Sequence, residues 1–120
     1  MTKEWNDDQP INRQLKDRMV ELILDETLKE GDALPSVRTV AVEYQINPLT
    51  ASKSYQELAV EGIVEKRRGL GMFVKEGARA HLITREKERF LEDEWPIVLE
   101  RIERLGLSLS DLPERREEGL

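Results

Sequence analysis

Between Leu34 and Val74 the chain is punctuated by residues that start and stop structure at fixed places. Ser36 stands before Val37-Arg38-Thr39-Val40-Ala41, where a serine caps the free amides of a helix start. Asn47-Pro48 repeats the device, because Asn caps and Pro suits a first helical position that needs no N–H donor. The second run stops at Glu61-Gly62. Ile63-Val64 and Met72-Phe73-Val74 are short β runs, and the stretch Glu65–Gly71 between them reads as a hairpin with a glycine-rich tip. Two short capped helices, a turn at Gln45-Ile46 and a basic hairpin leave few folds open.

A second helix presented by its N-terminal end is the shape that enters a DNA major groove. A hairpin carrying Lys66, Arg67 and Arg68 beside it has the form of a wing. The sequence therefore predicts a mostly α protein with a small β-hairpin, a winged helix-turn-helix. In the second helix Ala51, Tyr55 and Leu58 are spaced for burial, with Tyr44 and Phe73 also expected in the core. The opposite face carries Leu49, Thr50, Ser52, Lys53 and Gln56, whose hydroxyl and ammonium groups suit phosphates and base edges, while Leu49 suits a thymine methyl. Asn47 is chiefly a cap with a possible base contact. Gly69 and Gly71 satisfy turn geometry and let the hairpin backbone approach a phosphate closely.

The formal net charge of −6 opposes DNA binding when taken alone. Its distribution does not. Residues 36–75 hold six basic and four acidic side chains, a net of +2, whereas residues 84–120 hold seven basic and eleven acidic, a net of −4. Long-range attraction to DNA should still be weak, since salt screens beyond about 8–10 Å and the molecule is anionic overall.

Around this segment, residues 1–9 are polar and unpatterned, apart from Trp5, and are expected to form a mobile tail. Pro10 opens an amphipathic helix with Ile11, Leu15, Met19, Leu22 and Ile23 on one face, expected to run through Leu28 and to be capped by Gly31. The winged-helix domain is assigned to residues 10–76 and a helical dimerisation region to residues 77–120. In the latter Leu82, Phe90, Leu91, Trp95, Val98, Leu99 and Ile102 form one apolar stripe, with Trp95 as its anchor. Pro96 should kink it or split it in two. Such a stripe finds no partner within the chain, so a homodimer is expected. Ser108 and Asp111 resemble a capping box opening a last helix to about residue 118.

These segments resemble the DNA-binding domain of GntR-family bacterial repressors. That pattern has an LPS-x-R helix start, a threonine in the second helix, an E-G-x-(I/V/L) exit and a G-x-G-x-F-V wing strand. Here it appears as Leu34-Pro35-Ser36-Val37-Arg38, Thr50, Glu61-Gly62-Ile63 and Gly69-Leu70-Gly71-Met72-Phe73-Val74. Asn47-Pro48-Leu49-Thr50 with Lys53 and Tyr55-Gln56-Glu57-Leu58 looks like the small YtrA subfamily, whose short helical C-terminal part serves dimerisation. The resemblance implies a repressor acting as a homodimer on a palindromic double-stranded DNA operator, with a transporter operon as a plausible target. It assigns DNA contact to Ser36 and Arg38 beside Thr50 and the wing. The chain departs from the pattern at Asn47-Pro48, where many members carry Ser-Arg or Thr-Arg, and at Asn12, where an aromatic residue is common.

Other functions are poorly served. There is no cysteine, and His81 is the single histidine, so no thiolate or histidine cluster is available for a metal. No cofactor motif appears, because Gly69-Leu70-Gly71 lacks the helix that follows a dinucleotide fingerprint. Carboxylates lie at solvated spacings without a nucleophile–base pair, which argues against an enzyme. No residue cluster marks an effector site. No run approaches the roughly 20 apolar residues of a membrane span, and no signal peptide is evident, so a cytoplasmic protein is expected. The alternative is a winged-helix module that docks a partner protein, for which the recognition face carries too few exposed aromatics.

Overall fold

Pro10 precedes helix α1 (Ile11–Leu24), its carbonyl accepting from the amides of Arg13 and Gln14. The structure, a computed structural model, describes residues 10–114; the expected tail, with Trp5, lies outside them. Helix α1 buries Leu15, Met19, Val20 and Ile23. It stops earlier than its apolar spacing predicts. Glu26 turns into the left-handed region at φ 67°, Thr27 N–H is held by Asp25 Oδ1 at 2.9 Å, and Leu28 N–H returns to the carbonyl of Leu22. Leu28 thus packs against the core from a turn, and Gly31 is not a helix cap.

Helices α2 (Val37–Tyr44) and α3 (Pro48–Val60) begin where the caps predict. Ser36 Oγ accepts from Thr39 N–H at 3.0 Å, and Asn47 Oδ1 accepts from Leu49 N–H at 2.8 Å. Gln45 makes the tight turn between them at φ 57°. Strands β1 (Val64–Arg67) and β2 (Gly71–Val74) pair antiparallel, Val64 opposite Val74 and Arg67 opposite Gly71. The wing loop is therefore shorter than expected, only Arg68-Gly69-Leu70. The outer edge of β2 is paired as well. Gly31 N–H donates to Val74 O, Val74 N–H to Asp32 O and Leu34 N–H to Met72 O, leaving few backbone groups for edge-to-edge association.

Helix α4 (Ala78–Arg89) is followed by one π turn (Phe90–Glu94), helix α5 (Trp95–Arg104) and a 3₁₀ turn (Leu109–Asp111). The chain forms two compact units divided in sequence between Thr84 and Arg85. The first extends beyond residue 76 because Ala78 and Leu82 of α4 are fully packed in its core, with Leu15, Met19, Ile23, Val40, Leu58, Ile63 and Val74. In the second, Ser108 N–H donates to Asp111 Oδ2 as the capping box requires, and that bond holds the Asp111 carboxyl below the ordinary carboxylate range. The box opens only the 3₁₀ turn, since Leu112 returns to extended backbone; residues 115–118 of the expected helix lie outside the described ones.

Buried hydrogen bonds lock α3 in place. Ser54, fully buried, donates to Asn12 O at 2.6 Å, so Asn12 serves α1–α3 packing through its backbone where an aromatic is usual. Asn12 Nδ2 also reaches Glu57 Oε2 at 3.3 Å, and Lys16 bridges Glu57 and Glu61. The Tyr55 hydroxyl donates to Pro35 O at 2.7 Å, tying α3 to the start of α2. Burial pushes the Tyr55 phenol well above its ordinary range. Tyr55→Phe is expected to cost about 1–2 kcal/mol in urea melts near neutral pH. The folded state favours the neutral phenol, so wild type keeps this advantage below the ordinary tyrosine value of about 10 and loses it as pH rises past that value. The gap between the two proteins should therefore narrow at alkaline pH.

Candidate nucleic-acid interface

The first turn of α3 points its side chains outward from a firmly anchored helix. Leu49 is 79% exposed. Lys53 and Gln56 are exposed one and two turns further on, while Thr50 and Ser52 are half-buried. Lys53 has no carboxylate within ion-pair reach among the described residues. Gln56 belongs to this set by its i, i+4, i+7 spacing with Leu49 and Lys53. The carboxylates of the next turn are half-buried and paired, because Lys16 of α1 holds both Glu57 and Glu61.

At the start of α2, Arg38 is exposed. No carboxylate among the described residues pairs with it, so the Glu43 pairing that would make it ordinary surface is absent. Ser36 is different. Its hydroxyl accepts from Thr39 N–H and donates to Thr39 Oγ1 at 2.9 Å, which commits the side chain to capping. Asn47 commits only its oxygen to the α3 cap, leaving its amide nitrogen a donor at the surface.

The wing separates its three cations. Arg67 lies over the Phe73 ring at 4.2 Å and is bonded to Glu65 at 3.3 Å, an arrangement that stiffens the hairpin. Lys66 and Arg68 are exposed and unpaired among the described residues. Gly69 and Gly71 have φ of 76° and 110° with open space where a Cβ would sit. Their requirement here is backbone conformation rather than crowding. The unit thus presents Arg38, the α3 face and the wing cations Lys66 and Arg68 as donors and charges without internal partners, a set suited to an anionic backbone with base edges beside it.

Residues 11–74 match the family described as bacterial regulatory proteins, gntR family. The chain belongs to that family. It is 31% identical over 114 residues to the uncharacterized HTH-type transcriptional regulator YhcF of Bacillus subtilis, covering 95% of this chain and 93% of the relative. It is 46% identical over 74 residues to the HTH-type transcriptional repressor YtrA of the same organism, covering 62% of this chain and 57% of YtrA. Among solved structures, a GntR-family regulator from Bacteroides thetaiotaomicron superposes with a TM-score of 0.68 at 32% identity, covering 85% of this chain and 88% of the other. These relations place the chain among GntR transcriptional regulators of the YtrA subfamily, built on a winged helix-turn-helix and not enzymes. Among the described residues no helix of this GntR protein is long and apolar enough to cross a membrane, and no cluster of acidic or histidine side chains could hold a metal.

Proposed function

We propose that the protein is a repressor that binds a near-palindromic operator as a homodimer in the cytoplasm. The observation that carries this reading is the free cationic and polar set on α2, α3 and the wing of a GntR-type unit. Each subunit lays α3 in the major groove, with Leu49, Thr50, Ser52, Lys53 and Asn47 over the bases and phosphates. Arg38 adds a base or phosphate contact, and the wing, through Lys66, Arg68 and the backbone at Gly69 and Gly71, tracks the flanking strand. Ser36 acts by fixing the α2 start. Arg67 contributes charge from a stacked position.

Dimerisation belongs to the second unit in this reading. Phe90, Leu91 and Val98 are 43%, 59% and 42% exposed, and Trp95 and Leu99 are half-buried. A second copy covers them and so spaces two half-sites by its two-fold axis. Ile102 shares their helical spacing but is already buried in the single chain, so it is not a contact left open for a second copy.

The test is a gel-shift titration on DNA upstream of the protein's own gene, with scrambled competitor, at about 0.15 M salt. A discrete competitor-resistant complex at about 10⁻⁸ M protein or below is expected, with footprints in paired half-sites. Binding that disappears with competitor on this DNA and on genomic fragments would sink specific recognition.

A further inference from the structure

Between α4 and α5 the backbone leaves the α-helical spiral for one turn. Trp95 N–H is bonded to the carbonyl of Phe90, five residues back, the wider repeat of a π turn. Pro96 explains why the chain widens here. In an α-helix its ring would press on the carbonyl of Glu92, and it has no N–H to offer in return.

The wider turn changes which side chains share a face. Residues five apart on an α-helix lie about 140° apart around the axis, too far for side-by-side contact. Across this π turn the Phe90 and Trp95 rings are neighbours, with centroids 6.4 Å apart and planes tilted by 40°. Phe90 thereby joins the face that Trp95, Val98 and Leu99 continue along α5. Much of that face is open in the single chain.

The charges around it suit a second copy of the same segment. Glu92, Asp93 and Glu94 precede α5, and Arg101 and Arg104 share its last turn with Glu100 and Glu103. Arg104 is bonded to Glu100 at 2.9 Å, while Arg101 has no partner carboxylate among the described residues. A two-fold antiparallel pairing brings the acidic end of each copy to the Arg101 of the other, so one charged contact is made twice by symmetry.

We propose that the π turn is the phasing element of the homodimer interface, rotating α5 so that Phe90 enters the Trp95–Val98–Leu99 face that the second copy covers. This rests on the homodimer reading above and adds to it the determinant that selects which face is presented.

The test uses the full chain with Trp5→Phe, which leaves Trp95 as the sole tryptophan, and measures dimer dissociation by analytical ultracentrifugation alongside Trp95 emission. Pro96→Ala lets an α-helix run through with every residue kept, which sets Trp95 about 140° from Phe90 and so turns α5 by about 100° out of its present phase. Phe90→Ala removes the ring without altering the turn. Each variant is expected to raise the dimer dissociation constant by at least about tenfold and to shift Trp95 emission to the red at equal concentration. If either folded variant dimerises as tightly as wild type, the phasing proposal falls and the homodimer reading stands. Should Pro96→Ala not fold, Phe90→Ala decides alone by the same criterion. A wild-type protein that stays monomeric at every concentration removes both.

Discussion

Leu82→Ala is expected to destabilise the first unit by about 2–5 kcal/mol, the range for truncating a leucine inside a packed core. The apolar stripe reads Leu82 as a dimer residue, but it is fully buried within its own chain, in one cluster with Leu15, Ile23, Leu58 and Val74. A methyl-lined void left there has no route to collapse except by moving α4 against the winged helix. Denaturant unfolding at two protein concentrations a hundredfold apart separates the two roles. A core residue costs the same at both, whereas a loss that is absent at the low concentration and appears at the high one would make Leu82 a subunit contact. Its neighbours further along the stripe, in the π turn, behave otherwise. Phe90 and Leu91 are open and should cost little when truncated in the isolated chain.

Arg38→Ala is expected to weaken operator binding by about 1–3 kcal/mol and to relax sequence preference at the base pair it contacts. Arg68→Ala is expected to weaken all sequences alike and to reduce the salt-dependence slope by about one. The difference follows from position. Arg38 sits at the first turn of α2 beside the reading helix, whereas Arg68 lies in the wing loop, where only the strand backbone is near. Neither has an ion-pair partner among the described residues, so each truncation leaves no stranded charge and the folded state should be unaffected. Arg67 is not a clean probe, because removing it also strips the cover from Phe73. Titrations of both variants at several salt concentrations, with melts as controls, check this. Folded Arg38→Ala and Arg68→Ala proteins that bind as wild type does, with an unchanged salt slope, would place the interface elsewhere.

Much of the reading unit is legible in the sequence. Ser36 and Asn47-Pro48 mark the starts of α2 and α3 because an N-cap is satisfied by amides two or three residues away. Gly62 and the β runs at Ile63-Val64 and Met72-Phe73-Val74 are likewise decided by neighbours in sequence. Each of these signals is local, so the chain carries it whatever lies opposite.

The remaining features depend on residues far apart in sequence. α1 stops at Leu24 because Leu28 folds back toward the core and residues 31–34 pair with β2, contacts that outweigh a helical pattern running on to Gly31. Ser54 reads as one more polar helix residue until Asn12 O is found opposite it. Arg67 reads as one of three equivalent wing cations until β2 sets Phe73 beneath its guanidinium. Leu82 shares its spacing with Phe90 and Trp95, yet it packs inward, because apolar periodicity specifies that a face is buried and not what buries it. Pro96 announces a disturbance in the last helix, but a proline alone does not choose between a kink, a break and a π turn. The choice fell to the π turn, which sets Phe90 beside Trp95. Sequence by itself determined where helices and strands begin and what chemistry they carry; the partners of each face were decided only when distant segments met.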